Sequence, residues 1–154
     1  MKTSCLLSIL LTIIAVAFFS YLYQTSLHKL NIGCTANFIH ISESEQYSMI
    51  TVIKQEFRPN ETLTVIMDGK IQLGDNTYTL KRRIHGQYRH EEKNVYRLRQ
   101  SKIFLAGSDN VPPDVFRKYF FNLNPQQDMF FTISRLENQW IIGTPYTPAF
   151  VCEN

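Results

Sequence analysis

Four histidines, 13 acidic residues, 16 lysines and arginines and three cysteines are the groups with which this chain could do chemistry. They do not converge on a catalytic pattern. There is no Gly-rich phosphate loop, GxSxG elbow, HExxH or CxxC. His85 and His90 stand five apart across a strand end and turn, a spacing that sends their rings to opposite faces. His28 and His40 are isolated, and Glu43/Glu45 and Glu91/Glu92 read as turn-solvating pairs. The expectation is a chain with no catalytic residues, no metal site and no cofactor.

The basic residues are less evenly spread. Lys81, Arg82, Arg83, Arg89, Lys93, Arg97, Arg99 and Lys102 fall in one segment against only Glu91 and Glu92, whereas the whole chain carries +3. The simplest reading is a solvated face of two neighbouring strands. The sharper one is a docking surface for an acidic protein or an anionic ligand. A nucleic-acid partner is not expected, because the compartment inferred below holds none. Arg82 shares a face with Tyr78, Leu80, Ile84 and Tyr88, so it sits at the core's rim or is paired inside it. There a structural ion pair is favoured over a ligand carboxylate. Candidate ligand or partner contacts are Arg82, Arg83, Tyr78, Tyr88, Arg97, Arg99, Phe116 and Phe120. The aromatic cluster Phe116, Tyr119, Phe120, Phe121, Phe130 and Phe131 reads as core, or as the lining of an incompletely filled chamber.

The cysteines set the compartment. Cys34 and Cys152 bracket the region after the apolar N-terminus, which suggests a bridge tying its two ends together. Two unrelated buried thiols are the alternative. A bridge persists only in an oxidising space, a periplasm or the cell exterior. Cys5 belongs to an uncharged run, Cys5 to Tyr23, without Gly or Pro. As a helix that run is roughly 28 Å long, close to the thickness of a bilayer's hydrocarbon core. Ala15-Val16-Ala17 resembles a signal-cleavage site, but the apolar run continues past it, so an uncleaved signal anchor is favoured. Asn60-Glu61-Thr62 fits a glycosylation sequon of use only in a eukaryotic secretory pathway. The division expected is a cytoplasmic tail (1–4), a transmembrane anchor (5–23), a stalk (24–33) and a periplasmic β-rich domain (34–154).

Within that domain, strands are expected at 37–41, 47–57, 62–67, 70–73, 77–89, 94–105, 128–136 and 139–143, followed by an extended tail to Cys152. Asp68-Gly69 reads as a hairpin turn, as do Gly74-Asp75-Asn76 and His90 to Lys93. Pro112-Pro113-Asp114 opens the one expected soluble helix, to about Phe121. The fold class is mainly β (α+β): an antiparallel meander, either a curved sheet or a small lipocalin-like barrel, with one short helix.

The N-terminal anchor, Cys34, Met67-Asp68-Gly69-Lys70, Tyr78-Thr79-Leu80-Lys81-Arg82, Gly86-Gln87-Tyr88, Pro112-Pro113, Gly143-Thr144-Pro145 and Pro148-x-x-x-Cys152 together resemble the FidL-like membrane proteins of enteric bacteria. The resemblance covers nearly the whole chain and brings no active-site residues. It implies a bacterial inner-membrane accessory or sensory protein with its C-terminal domain in the periplasm, the partner of a membrane-anchored winged-helix regulator of the MarT or ToxR type. By analogy with ToxS-type partners, the pair would enclose an amphipathic ligand. A stand-alone envelope protein binding a lipid or small apolar molecule is the alternative.

Overall fold

The structure, a computed structural model, describes residues 2–27, 29–119, 128–146 and 148–153, with the backbone alone at 2–9, 24–27 and 148–149. A helix, α1 (Lys2–Leu27), is followed by five long strands: β1 (Ile32–Ser42), β2 (Tyr47–Arg58), β3 (Thr62–Leu73), β4 (Asn76–Glu92) and β5 (Val95–Leu105). A short helix α2 (Pro113–Tyr119) separates them from β6 (Met129–Leu136), β7 (Gln139–Gly143) and β8 (Pro148–Glu153). The strands form a closed barrel in chain order, with every neighbouring pair antiparallel. Of the two architectures open to the sequence, the barrel is the one realised.

Alternation drives the closure. Tyr47, Met49, Thr51, Ile53, Gln55 and Phe57 of β2 face inward, as do Leu63, Val65, Met67 and Ile71 of β3, and solvent-facing residues stand between them. On β4 the inward set is Leu80, Arg82, Ile84, Gly86 and Tyr88, the face predicted from the sequence. Met49, Ile53, Ile71 and Leu80 have no accessible surface, so no water-sized void adjoins them. Phe57, Tyr88, Tyr96 and Phe131 stack edge-to-face or offset, with ring centroids 5.7–5.9 Å apart, and fill the other end of the bore.

The turn expected at Asp68-Gly69 is absent. β3 runs unbroken through it, with Gly69 paired to Thr51 on one side and Leu80 on the other. A Cβ on Gly69 would lie 2.3 Å from the Ile50 carbonyl oxygen and 2.6 Å from Thr51 Cα, so this glycine permits close approach of two strands within a narrow barrel. The reversal comes at Gly74, which has φ 57° and whose N–H donates to the Gln46 carbonyl. α1 continues through 24–27, into the stretch read as a stalk. No Gly or Pro interrupts it there, and adding a turn to an existing helix costs little.

α2 lies over one mouth of the barrel. Val115 and Phe116 are buried, Tyr119 stacks on Tyr47 at 3.8 Å, and Lys118 Nζ lies 3.0 Å from Glu45 in the β1–β2 turn. Burial against this lid pushes the Tyr47 hydroxyl up to about 12. Among the described residues no helix is long and apolar enough to cross a membrane; in α1 the described side chains run only from Leu10 to Tyr23.

Candidate functional site

Two adjacent arginines on β4 meet opposite environments. The Arg82 side chain is 4% exposed and that of its partner Asp109 is fully buried. Nε and Nη2 of Arg82 donate to the two carboxylate oxygens of Asp109 at 2.9 and 3.0 Å, and Nη2 donates also to the Val111 carbonyl. The guanidinium lies 4.2 Å from the Phe116 ring centroid. Asp109 accepts further from the backbone N–H groups of Lys81 and Val111. Burial alone would raise its pKa, but Arg82 and these N–H donors outweigh burial and hold the carboxyl below its ordinary range. Nε and Nη2 of Arg82 are thus committed within the chain, to fastening the 106–112 loop and α2 across the mouth. This is the structural ion pair favoured for Arg82 at the outset.

Arg83 points outward. Register pairs Arg83 with Phe104, His85 with Lys102, Gln87 with Arg99 and Arg89 with Arg97, so the β4–β5 hairpin presents cations on both strands. Arg97 is neutralised by Glu91 and Asp128, although its Nε has no hydrogen-bond partner. Arg99 reaches the same Asp128 at 3.7 Å. Lys81 uses Asp68 and Arg58 uses Glu56. Among the described residues no carboxylate lies within ion-pair reach of Arg83, Arg89 or Lys102. Exposed Ile66 and Phe104 flank Arg83, and two shallow clefts, one of about 480 Å³ and one of about 340 Å³, meet at these three residues.

The sequence candidates therefore split by face. Arg83, Arg97 and Arg99 share the outer wall. Arg82, Tyr88 and Phe116 are buried, Tyr78 is half-buried, and Phe120 lies outside the described residues. The Tyr88 hydroxyl donates to the Arg58 carbonyl at 2.7 Å and accepts from the Leu30 N–H at 3.1 Å, clasping the segment that leads in from α1. Asp109, Phe104 and Ile66 were not singled out from sequence. Phe104 was legible in the alternation after Lys102, but Asp109 sits in a loop with no periodicity to mark it. His85 and His90 do fall on opposite faces, and the described residues contain no cluster of three or more potential metal ligands.

Cys34 and Cys152 are joined by a disulfide spanning 118 residues. It lies beside Thr35↔Glu153, the single described register pair between β1 and β8, so the covalent link staples the seam where the barrel closes.

A family model for "FidL-like putative membrane protein" matches residues 69–152, from the close-approach glycine of β3 to the second half-cystine. The match covers more than half of the chain. The chain belongs to the FidL-like family. No curated protein matches it. The FidL-like description accords with a membrane location, and a closed, stapled barrel is compatible with a binding or accessory role.

Proposed function

We propose that this FidL-like chain is a non-enzymatic accessory subunit of the bacterial inner membrane. Residues 5–23 form its signal anchor, the tail 1–4 is cytoplasmic, and the barrel projects into the periplasm. There it pairs with the periplasmic part of a membrane-anchored winged-helix regulator and takes part in sensing an amphipathic molecule.

One observation carries the membrane part of this reading. Every described side chain of α1 is exposed, including Leu10, Ile14, Phe18 and Phe19, so the described part of the helix presents apolar residues on all sides. A helix of that kind needs lipid or another protein around it. A stapled seam fits an oxidising compartment beyond the membrane. Stand-alone lipid binding would need an enclosed apolar chamber, and the bulky inward residues of β2, β3 and β4 leave none beside them.

The test is co-purification of tagged full-length protein from membranes that also contain the regulator encoded beside it. Stoichiometric capture is expected. A chain that is recovered monomeric and alone, with the regulator present in the same membranes, contradicts the pairing.

A further inference from the structure

We propose that the outer face of the β4–β5 hairpin, centred on Arg83, Lys102 and Phe104, is the surface that docks an acidic, extended segment of a partner protein. The identity of the partner's setting rests on the accessory reading above; the chemistry of the face does not.

The first support is unspent charge. Arg83, Arg89 and Lys102 are exposed and lack a carboxylate within reach among the described residues, while nearby Glu56, Asp68, Glu91 and Asp128 already serve other cations. The hairpin also sets Arg89 directly opposite Arg97, whose charge Glu91 and Asp128 already offset, so Arg89 is the uncompensated member of that pair. The second support is the apolar content. Phe104 is 53% exposed and Ile66 37%, and both border the clefts beside Arg83, where a partner's apolar side chain could be buried between cations.

Size selects the occupant. From Arg89 to Arg83 is six residues of extended strand, roughly 20 Å at about 3.3 Å per residue. A single small carboxylate would engage one end of that stretch, whereas a strand of alternating acidic and apolar residues would match its length. A lipid surface is the poorer fit. The stripe starts at Arg89, next to the Tyr88 that bonds Leu30 where the chain enters the barrel, and runs along the strands away from that end to Phe104, so a bilayer at the entry end would meet only its start. Residues 120–127, FFNLNPQQ, carry no charge and so cannot neutralise the face from within the chain.

The experiment uses full-length protein in neutral phosphatidylcholine nanodiscs. The probes are a fluorescent peptide alternating Glu with Val and Phe, and the same peptide with Gln for Glu. The acidic peptide is expected to bind more tightly, by about tenfold or more at low salt, with the advantage shrinking as salt rises. Arg83→Glu/Lys102→Glu should abolish that preference. Lys54→Glu/Lys70→Glu, an equal charge change on the outer faces of β2 and β3, should leave it in place. Non-reducing gel mobility and the thermal midpoint check that both variants stay folded and bridged. Equal binding of the two peptides, equal loss in the two variants, or displacement of the acidic peptide by phosphatidylglycerol vesicles overturns the proposal. Regulator capture separates the two readings. If Arg83→Glu/Lys102→Glu still captures it fully, this surface is wrong and the accessory role survives; if the unmodified chain captures none, the role falls whatever the peptides do.

Discussion

The barrel is closed by two different means. Along the wall made by β2, β3 and β4, each strand pair is zipped by a continuous register of twelve residues. At the seam, β1 and β8 share one described register pair, and a covalent bond does the rest. The wall is assembled from neighbours in sequence, so its ladders form with little loop-closure cost. The seam joins strands more than a hundred residues apart, where closure entropy is largest and a cross-link has most to remove. The wall should therefore fail through packing and charge, and the seam through chemistry of its sulfurs.

The wall should break hardest at Arg82, whose buried guanidinium is paired with the buried Asp109 carboxylate. Asp109→Ala strands that guanidinium, and a loss of about 3–5 kcal/mol in urea unfolding is expected. Arg82→Met combined with Asp109→Leu should recover part of it, because it removes the unpaired charge but leaves the Lys81 and Val111 N–H groups without their acceptor. The Asp109 carboxyl is held below its unfolded value. Its contribution is accordingly complete above the unfolded carboxylate range and fades as pH falls below about 4. Asp109→Asn should flatten that acid limb of the stability profile.

The seam comes next. Replacing Cys34 and Cys152 by Ser should lower stability by roughly 2–5 kcal/mol. Hydrogen exchange should then rise first in β1 and β8 while the β2–β4 ladders stay protected. Uniform exchange across all strands would show that the two regions are one cooperative unit.

Two glycines sharpen the contrast at smaller amplitude. A Cβ at Gly69 collides with the backbone of β2, so Gly69→Ala should cost about 1–3 kcal/mol. At Gly33 on β1 nothing lies within 4 Å, and Gly33→Ala should change stability by less than about 0.5 kcal/mol. Thermal midpoints of the two variants decide it.

The same contrast explains what the sequence made legible. Alternation along β4 placed Arg82 inside and Arg83 outside, because a period of two is a local property of a strand. Asp68-Gly69 has the composition of a hairpin turn, yet it lies mid-strand; only the register against Thr51 reveals that the glycine serves close approach. Closure itself was open from sequence, since Thr35↔Glu153 is a pairing no local window contains. The cysteine positions suggested a bridge between the two ends of the domain, and that bridge lies at the seam. The cationic outer face was visible as a run of basic residues, but Phe104 and Ile66 joined it only once β3, β4 and β5 were in register.

Thiol labelling in intact cells tests most directly whether a bridge formed in an oxidising compartment holds the seam. In a Cys5→Ser background, a membrane-permeant maleimide that adds mass should leave Cys34 and Cys152 unmodified until reductant is added, and then shift the chain by two labels. Two labels acquired without reductant would mean that both sulfurs are free, and the stapled periplasmic barrel would be wrong.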